Sequence, residues 1–398
     1  MCSKVQFVAF CRGPQRSMWM LVILILFFSL LYVSITLETE LSVTEGVLKP
    51  GTQTPQILLS THTPRVVYIV VQTRASPGWC RMLVSSVLSN VSVVSIGFGR
   101  NYTHVDRQAW ILEYLRQEGL RDDDVVVVFD GADTLFTGTD KIQRALEHFL
   151  TTTAPTADTF DATAILQGKM SSPMQFSSDA LCYAPQIHLI VPEGPERPKT
   201  KCFWLYARMW KAVLSPNNQY LANLQRKKYR FLCAGGYVGR VWAVRAASRA
   251  YTSLVASRSD WWCDQSVWTL LYVWSLGQDS GVASNLRLPR GILSLDYNHS
   301  FFFAPYKRAF AIPAILHLPG KARGWRRHLS HILQRASWVH EVYRTPQALA
   351  EAKSLFQSGT SVKVLALDGH MYNHRFGDLC PAGDALNFSW LSYPLEKK

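Results

Sequence analysis

The chain lacks the short motifs that identify several common classes of protein. No two of its eight cysteines are spaced as Cys-x-x-Cys, so neither a zinc site nor a thioredoxin-like redox motif is predicted. No Gly-x-Gly-x-x-Gly loop and no Gly-x-x-x-x-Gly-Lys-Ser/Thr loop follows an apolar run. These absences argue against a Rossmann dehydrogenase and against a P-loop enzyme.

Acidic residues are few beside basic ones, with 28 Asp and Glu against 42 Lys and Arg and a formal net charge of +14. Such an excess can indicate a nucleic-acid partner. Here the basic residues are spread along the chain, with one local cluster at Lys321, Arg323, Arg326 and Arg327. We therefore expect no nucleic-acid partner, and a basic surface that favours anionic nucleotides, glycans or retention at a membrane.

Only one apolar run is long enough to cross a bilayer, at residues 18–37. Basic residues precede it and acidic residues follow it, which predicts a cytoplasmic tail at residues 1–17 and a single-pass type II signal anchor. The alternative is a cleaved signal peptide, whose apolar region is normally about 7–15 residues long. With the anchor, the rest of the chain would lie in the lumen of the Golgi apparatus or the endoplasmic reticulum.

Residues 38–64 are rich in Ser, Thr and Pro, and predict a stem between the anchor and a folded domain. Four N-glycosylation sequons lie beyond the stem, at Asn90, Asn101, Asn298 and Asn387. Six cysteines also lie beyond the anchor, an even number that fits disulfides in an oxidising compartment. Cys182 and Cys202 could close a local loop, and buried free thiols are the alternative for the set.

Apolar runs alternate with helical patterns after residue 65, as they do in α/β domains. The apolar runs predict strands at residues 65–73, 91–96, 125–129, 292–296 and 314–317. Helical spacing marks residues 79–88, 108–118 and 241–257. This alternation predicts a Rossmann-like, mostly parallel sheet flanked by helices over residues 65–321. Residues 322–398 carry helical patterns and predict a C-terminal helical extension.

The most informative segment contains four valines and Phe129, which lead into Asp130, with Asp133 three positions later. Such a run predicts a buried central strand, and ligands bind beyond the carboxyl ends of these strands. Two carboxylates there suit Mg²⁺ or Mn²⁺ with a phosphate-bearing ligand. His317, at the end of a later apolar run, could complete the coordination. The alternatives are acids that form turns or caps and a histidine without a ligand role.

Four further candidates lie between Asp133 and His317 in the sequence. Gly235 and Gly236, within an apolar run, predict either a turn or a close approach of the main chain to a ligand. Asp264 and Gln265 open a predicted helix, where they could act on a sugar or an acceptor, or could only cap the helix.

A phosphatase of the haloacid dehalogenase type is a more specific alternative for the aspartate pair. Its signature places two aspartates two positions apart after an apolar strand, followed by a threonine. Asp130 and Asp133 are three positions apart, so their side chains would not project as that chemistry requires.

Six segments follow one another in an informative order: residues 130–136, 176–185, 231–239, 263–265, 295–296 and 317–320. The first reads Asp-Gly-Ala-Asp-Thr-Leu-Phe, and the third reads Phe-Leu-Cys-Ala-Gly-Gly-Tyr-Val-Gly. Together they resemble the glycosyltransferase domain of the procollagen lysyl hydroxylases and, more distantly, the procollagen galactosyltransferases. That family has Asp-Ser-Tyr-Asp and Phe-Leu-Asn-Ser-Gly-Gly-Phe-Ile-Gly at the first and third segments.

The resemblance implies a GT-A fold, a UDP-sugar donor and a Mn²⁺ ion, or Mg²⁺, held by Asp130, Asp133 and His317. It also implies that three residues lie near the nucleotide, namely Thr73, Trp79 and Arg107. The main chain at Gly235 and Gly236 would approach the sugar, and Asp264 and Gln265 would be the catalytic pair. The expected function is transfer of galactose or glucose to a glycan or glycoprotein.

The chain departs from the family within these segments, and after His317 the residues Leu318 and Pro319 replace Asn-Gly of the family. Ala132 replaces a tyrosine that in the family lies against the nucleotide, and Cys233 and Ala234 replace two polar residues before the paired glycines. These differences support an alternative function. The protein would then be a catalytically degenerate relative that binds glycans or partner proteins without turnover.

Overall fold

A computed structural model describes residues 63–215, 217–279, 281–304, 312–319 and 334–380. The predicted cytoplasmic tail, the anchor at residues 18–37 and the stem as far as residue 62 lie outside the described residues. Within the described ranges, no helix combines the length and the apolar character needed to cross a bilayer.

The described residues form two sheets. Their strands are β1 (Val66–Val71), β2 (Val93–Ile96), β3 (Val125–Asp130), β4 (Thr134–Phe136), β5 (Met174–Asp179), β6 (Phe231–Arg240), β7 (Leu293–Leu295), β8 (Phe302–Phe303), β9 (Ile315–His317), β10 (Ser361–Leu365) and β11 (Met371–Arg375). The central sheet has eight strands in the order β11-β10-β2-β1-β3-β6-β5-β7, and the smaller sheet has the order β4-β9-β8.

Helices in the described part of the chain flank the central sheet. They are α1 (Pro77–Leu88), α2 (Arg107–Gln117), α3 (Thr139–Thr152), α4 (Ala162–Leu166), α5 (Pro198–Val213), α6 (Gln219–Arg226), α7 (Val241–Ala256), α8 (Asp264–Gly277), α9 (Ser337–Val342), α10 (Pro346–Ser354) and α11 (Phe376–Leu379). Side-chain caps define some of their starts. Before α1, Ser76 Oγ accepts from the Trp79 N–H, which satisfies a backbone donor that the helix leaves unpaired.

The mostly parallel sheet flanked by helices, expected from the sequence, is confirmed. Strands β10, β2, β1 and β3 run parallel to their neighbours in this group, as do β5 and β7. Strand β6 runs antiparallel between β3 and β5, and β11 is antiparallel to β10. Because β1 and β3 are adjacent and parallel, their carboxyl ends at Val71 and Asp130 meet at one edge of the sheet.

The valine run of β3 is buried on both faces of the sheet. Val126 and Val128 pack into a cluster that includes α7 and α8, whereas Val125, Val127 and Phe129 pack into a second cluster that includes α1. These five residues are at most 2% exposed. A strand covered on both faces needs apolar residues at every position, which explains the uninterrupted run.

The C-terminal part is not purely helical, contrary to the expectation from the sequence. It contributes β10 and β11 as well as α9, α10 and α11, and β10 extends the central sheet by pairing with β2. The signal was a short alternation, in which Val362 and Val364 are buried and Ser361 and Lys363 are exposed. The domain therefore continues past the predicted boundary at residue 321.

The described residues contain two disulfides, one local and one between distant parts of the domain. Cys182–Cys202, the local pair considered from the sequence, is present with Cα atoms 5.9 Å apart. Cys80 in α1 pairs with Cys380 directly after α11, 300 residues later. Cys233 and Cys263 are free and buried. Each of the two alternatives for the cysteines thus holds for part of the set.

Candidate metal centre

The two sheets bring Asp130, Asp133 and His317 together. Asp130 is the last residue of β3, and Asp133 lies in the turn that leads into β4. His317 ends β9, which pairs with β4 so that His317 lies opposite Thr134. The Leu318 N–H also donates to the Asp133 carbonyl over 2.8 Å. Backbone hydrogen bonds therefore fix the turn and the histidine relative to each other.

The side chains of these three residues surround one gap. His317 Nε2 is 3.7 Å from Asp130 Oδ2 and 3.8 Å from Asp133 Oδ1, distances too long for hydrogen bonds. One potential ligand atom of each residue lies within 4.8 Å of the other two. Asp133 Oδ1 and His317 Nε2 are buried without a hydrogen-bond partner in the described part of the chain. Such orphaned buried atoms are rare, and here both border the gap that a cation would fill.

The main chain of β6 passes beside this gap at Gly235. A Cβ atom at that position would lie 2.1 Å from His317 Cε1 and 2.9 Å from Asp130 Oδ2. Any side chain there would displace the candidate ligands. Successive strand residues face opposite sides of a sheet, and a Cβ atom at Gly236 would instead meet the Phe302 ring at 2.5 Å. Gly235 therefore leaves room for the candidate metal ligands, and Gly236 leaves room for the Phe302 ring.

Arg107, the first residue of α2, connects Asp130 with a third acid. Its guanidinium is 2.5 Å from Asp130 Oδ1 through one nitrogen and 3.2 Å from Asp264 Oδ2 through another. The arginine side chain is only 8% exposed, so water screens these ion pairs weakly. Asp264 begins α8. Two residues that the sequence assigned to different roles therefore meet in a single network with a candidate metal ligand.

The environment of the centre shifts the pKa values of its carboxyl groups in opposite directions. Burial raises the pKa of Asp130, but Arg107, His317 and His104 together outweigh burial and lower the value to about 2. Burial raises the pKa of Asp133 to about 6, and the negative charge of Asp130 adds to that rise. Burial also raises the pKa of Asp264, against the opposing charge of Arg107. An added cation would relieve the destabilised anions.

His317 is bounded on its other side by Cys233. The Sγ atom is 3.5 Å from His317 Nδ1, and both side chains are buried. Burial lowers the pKa of His317, but the nearby Cys233, Asp133 and Asp130 outweigh burial and raise the value above that of an ordinary histidine. A cation that binds Nε2 would have to release a proton from this ring.

Two residues near the Arg107 network were not predicted, Tyr102 and His104. Tyr102 Oη lies 3.0 Å from His104 Nδ1. Burial raises the pKa of Tyr102 to about 12, with the charge of Arg107 acting in the opposite direction. Both residues lie in the irregular segment before α2, outside the six segments that carry the resemblance. Tyr102 is the middle residue of the Asn101 sequon, and no periodicity or motif points to a role of either residue at this site.

Trp79 lies in the core, contrary to the expectation that it contacts a nucleotide. Its side chain is fully buried, and its indole N–H donates to Ser95 Oγ over 3.1 Å. A ligand has no access to the ring in this arrangement. Thr73 is half-buried and follows β1 at the edge where Asp130 lies, and its carbonyl accepts from the Gly99 N–H. Thr73 thus remains at the predicted edge of the sheet.

Gln265 joins neighbouring segments beside a cavity. Its Oε1 accepts from the Ala234 N–H at 3.3 Å, and its Nε2 donates to the Tyr183 carbonyl at 2.8 Å. The amide is thus engaged by main-chain groups, which favours a structural role over a catalytic one. Gln265, Cys233 and Tyr183 line a cavity of about 810 Å³. The cavity adjoins the candidate metal centre through Cys233, which contacts His317.

Comparison with known proteins adds no assignment to this site. No protein-family model matches the chain, and no curated protein matches it. A functional conclusion therefore depends on the residues of the centre and their geometry.

Proposed function

We propose that the protein is a metal-dependent glycosyltransferase that moves galactose or glucose from a UDP-sugar to a glycan or glycoprotein acceptor. The observation that carries this proposal is the convergence of Asp130, Asp133 and His317 on one gap. The gap lies at the carboxyl ends of β1 and β3, the edge at which open α/β sheets bind ligands. The resemblance to the procollagen lysyl hydroxylase glycosyltransferase domain supports a GT-A fold and a UDP-sugar donor.

The residues of the centre fit a divalent cation. Two carboxylates and an imidazole are suitable ligands for Mn²⁺, and Mg²⁺ shares the preference for oxygen. Two of the ligand atoms are buried and unpartnered, and Gly235 has no side chain that would fill the gap. When bound, the cation would stabilise the negative charge that develops on the departing UDP.

In this proposal, Arg107 positions the carboxylate of Asp130, and Asp264 is the candidate proton acceptor. Arg107 holds Asp130 Oδ1, so the second oxygen of that carboxylate stays directed at the centre. Arg107 also holds Asp264, whose pKa is raised by burial. A carboxylate with a raised pKa accepts protons more effectively near neutral pH. We therefore assign Asp264 to orienting the sugar or to accepting the proton of the acceptor hydroxyl.

The proposal includes a lumenal location in the Golgi apparatus or the endoplasmic reticulum, with residues 18–37 as the anchor. Two disulfides in the domain support an oxidising compartment. The sequon residues Asn90, Asn101 and Asn298 are exposed, as N-linked glycosylation requires.

A glycan-binding or partner-binding protein without turnover is the second candidate. It is favoured by the main-chain hydrogen bonds of the Gln265 amide and by the Arg107 ion pair, which occupies one oxygen of Asp130. Cys233 and Ala234 also supply no strong polar group beside the centre. Mn²⁺-dependent nucleotide binding without sugar transfer would distinguish this candidate from the transferase.

Calorimetric titration of the full-length chain with UDP, with and without Mn²⁺, tests the nucleotide site. We expect binding that requires Mn²⁺ and that the double variant Asp130→Asn/Asp133→Asn abolishes. Asp158→Asn removes an exposed aspartate in the segment between α3 and α4, and is expected to bind UDP as the wild type does. A folded wild-type chain that ignores UDP at millimolar concentration would contradict the proposal.

A further inference from the structure

Cys233 shares a strand face with Gly235 and contacts the candidate metal ligand His317. The two residues are two positions apart in β6, and alternate strand residues face the same side. Both border the same imidazole, Gly235 at Cε1 and Nε2 and Cys233 at Nδ1. Cys233 is 3% exposed and forms no disulfide. Its thiol therefore has a fixed position against the ring.

The two ring nitrogens of His317 have different surroundings. Nε2 borders the gap between Asp130 and Asp133 and has no hydrogen-bond partner among the described residues. Nδ1 lies 3.5 Å from Cys233 Sγ. A neutral imidazole carries one proton, and the nitrogen that binds a cation must be the one without it. If Nε2 binds the cation, Nδ1 therefore keeps the proton and needs an acceptor.

We propose that Cys233 is a positioning residue for the metal centre, with its sulfur accepting a hydrogen bond from His317 Nδ1–H. This inference rests on the proposed metal-dependent function and adds a residue that presents Nε2 of His317 to the cation. Partners on the outer side of a ligating histidine fix its tautomer and ring orientation. A thiol donating to Nδ1 would instead leave the proton on Nε2, where it would block the cation.

The sulfur itself lies in the wrong place to bind the same cation. It contacts Nδ1, whereas the carboxylate oxygens of Asp130 and Asp133 are near Nε2 on the other side of the ring. The expected ligand set is therefore two carboxylates and one imidazole, without a thiolate. This arrangement preserves the preference of the centre for a hard cation such as Mn²⁺.

Titration of the full-length chain with Mn²⁺ alone, followed by calorimetry, tests the inference. Cys233→Ala removes the acceptor and is expected to weaken Mn²⁺ binding by about 10- to 100-fold. Cys233→Ser keeps an acceptor and is expected to lose less than about 10-fold. Cys263→Ala is the matched control, because Cys263 is the other buried free thiol, and it is expected to bind Mn²⁺ as the wild type does.

Three results would overturn the inference. Wild-type Mn²⁺ affinity in Cys233→Ala would show that the sulfur does not position His317. Equal losses in the Ala and Ser variants would indicate a packing defect instead of a lost acceptor. A sulfur-to-metal charge-transfer band in the Co²⁺-loaded wild type, absent from Cys233→Ala, would make Cys233 a ligand.

The same titrations separate this inference from the proposed function. Unchanged affinity in Cys233→Ala, beside a wild type that binds Mn²⁺, contradicts the role of Cys233 alone. A wild type that binds no Mn²⁺ contradicts both the metal centre and the role of Cys233.

Discussion

At the scale of the residue, Asp130 and Asp133 differ sharply although only two residues separate them. Asp130 pairs with the buried Arg107, which holds its pKa low. Asp133 keeps one buried oxygen without a partner, and its pKa is raised to about 6. Ionised Asp130 therefore stabilises the ion-free fold, whereas ionised Asp133 destabilises it. A bound cation would remove the electrostatic cost of ionising the Asp133 carboxyl group.

Asparagine substitutions at these two positions are expected to change the free energy of unfolding in opposite directions. Because the folded pKa of Asp133 is raised, its stabilising contribution is present below about pH 4 and is lost as pH rises through about 6. The contribution of Asp130 is present above about pH 4 and is lost as pH falls through about 2. At pH 7, Asp133→Asn should stabilise and Asp130→Asn should destabilise the ion-free chain, each by about 1–2 kcal/mol after allowance for partial exposure.

Urea unfolding at pH 7 with a chelator present measures both effects. The exposed control Asp158→Asn is expected to stay within about 0.5 kcal/mol of the wild type. Added Mn²⁺ should stabilise the wild type but not Asp133→Asn, because ligand binding to the folded state raises its stability. A destabilising effect of Asp133→Asn in the chelated protein would contradict the described electrostatics.

At the scale of the element, strands with plain apolar runs were predictable and those with glycine or short alternation were not. The runs of β1 and β3 show their burial directly. The glycines of β6 are typical of turns, yet Gly235 and Gly236 lie inside a ten-residue strand. Glycine is required at these two positions because His317 and Phe302 occupy the space that a larger side chain would need. Contacts made by distant elements decide such cases, and one sequence does not contain them.

The same limit applies to the site. Asp130, Asp133 and His317 follow strands and could be placed at strand ends from the sequence alone. The ion pair between Arg107 and Asp264 joins residues 157 positions apart and depends on how α2 meets the start of α8. The burial of the Trp79 side chain was not predictable, because the family resemblance says nothing about the direction of a side chain.

Substitution of Gly235 tests whether β6 forms one wall of the metal centre. Gly235→Ala is expected to weaken Mn²⁺ binding by about 10- to 100-fold, because its Cβ atom would lie 2.1 Å from His317 Cε1. Strand β6 pairs on both sides, with β3 and β5, so its backbone cannot easily move away.

The control is Gly277→Ala at the end of α8, where the nearest atom to the added Cβ would be Met209 Cγ at 3.7 Å. This variant should bind Mn²⁺ like the wild type. Mn²⁺ calorimetry measures both variants, and undiminished affinity in Gly235→Ala would place the cation elsewhere.

At the scale of the whole molecule, the two ends of the described chain are tied together. Strand β10 pairs with β2, and the Cys80–Cys380 disulfide links α1 to the end of α11 across 300 residues. The helix that carries Cys80 is the element after β1, at the edge of the sheet where the candidate metal centre lies. The C-terminal strands therefore brace the same half of the sheet that supplies Asp130.

Removal of this disulfide is expected to loosen that half of the molecule. Cys80→Ala/Cys380→Ala should lower the free energy of unfolding by about 2–5 kcal/mol, since the bond closes a long loop. Amide hydrogen exchange should accelerate in β10 and β11 before it does in β3. Cys182→Ala/Cys202→Ala opens a loop of only 20 residues and should cost less. An equal or larger loss in this second variant would contradict the expected ranking.

Release of UDP from UDP-galactose or UDP-glucose by the full-length chain tests the central claim most directly. We predict release that requires Mn²⁺, is lost in Asp130→Asn/Asp133→Asn, and persists in Asp158→Asn. A folded chain that binds Mn²⁺ and UDP but releases UDP from neither donor, with or without glycan acceptors, would contradict the transferase and leave the binding protein as the better description.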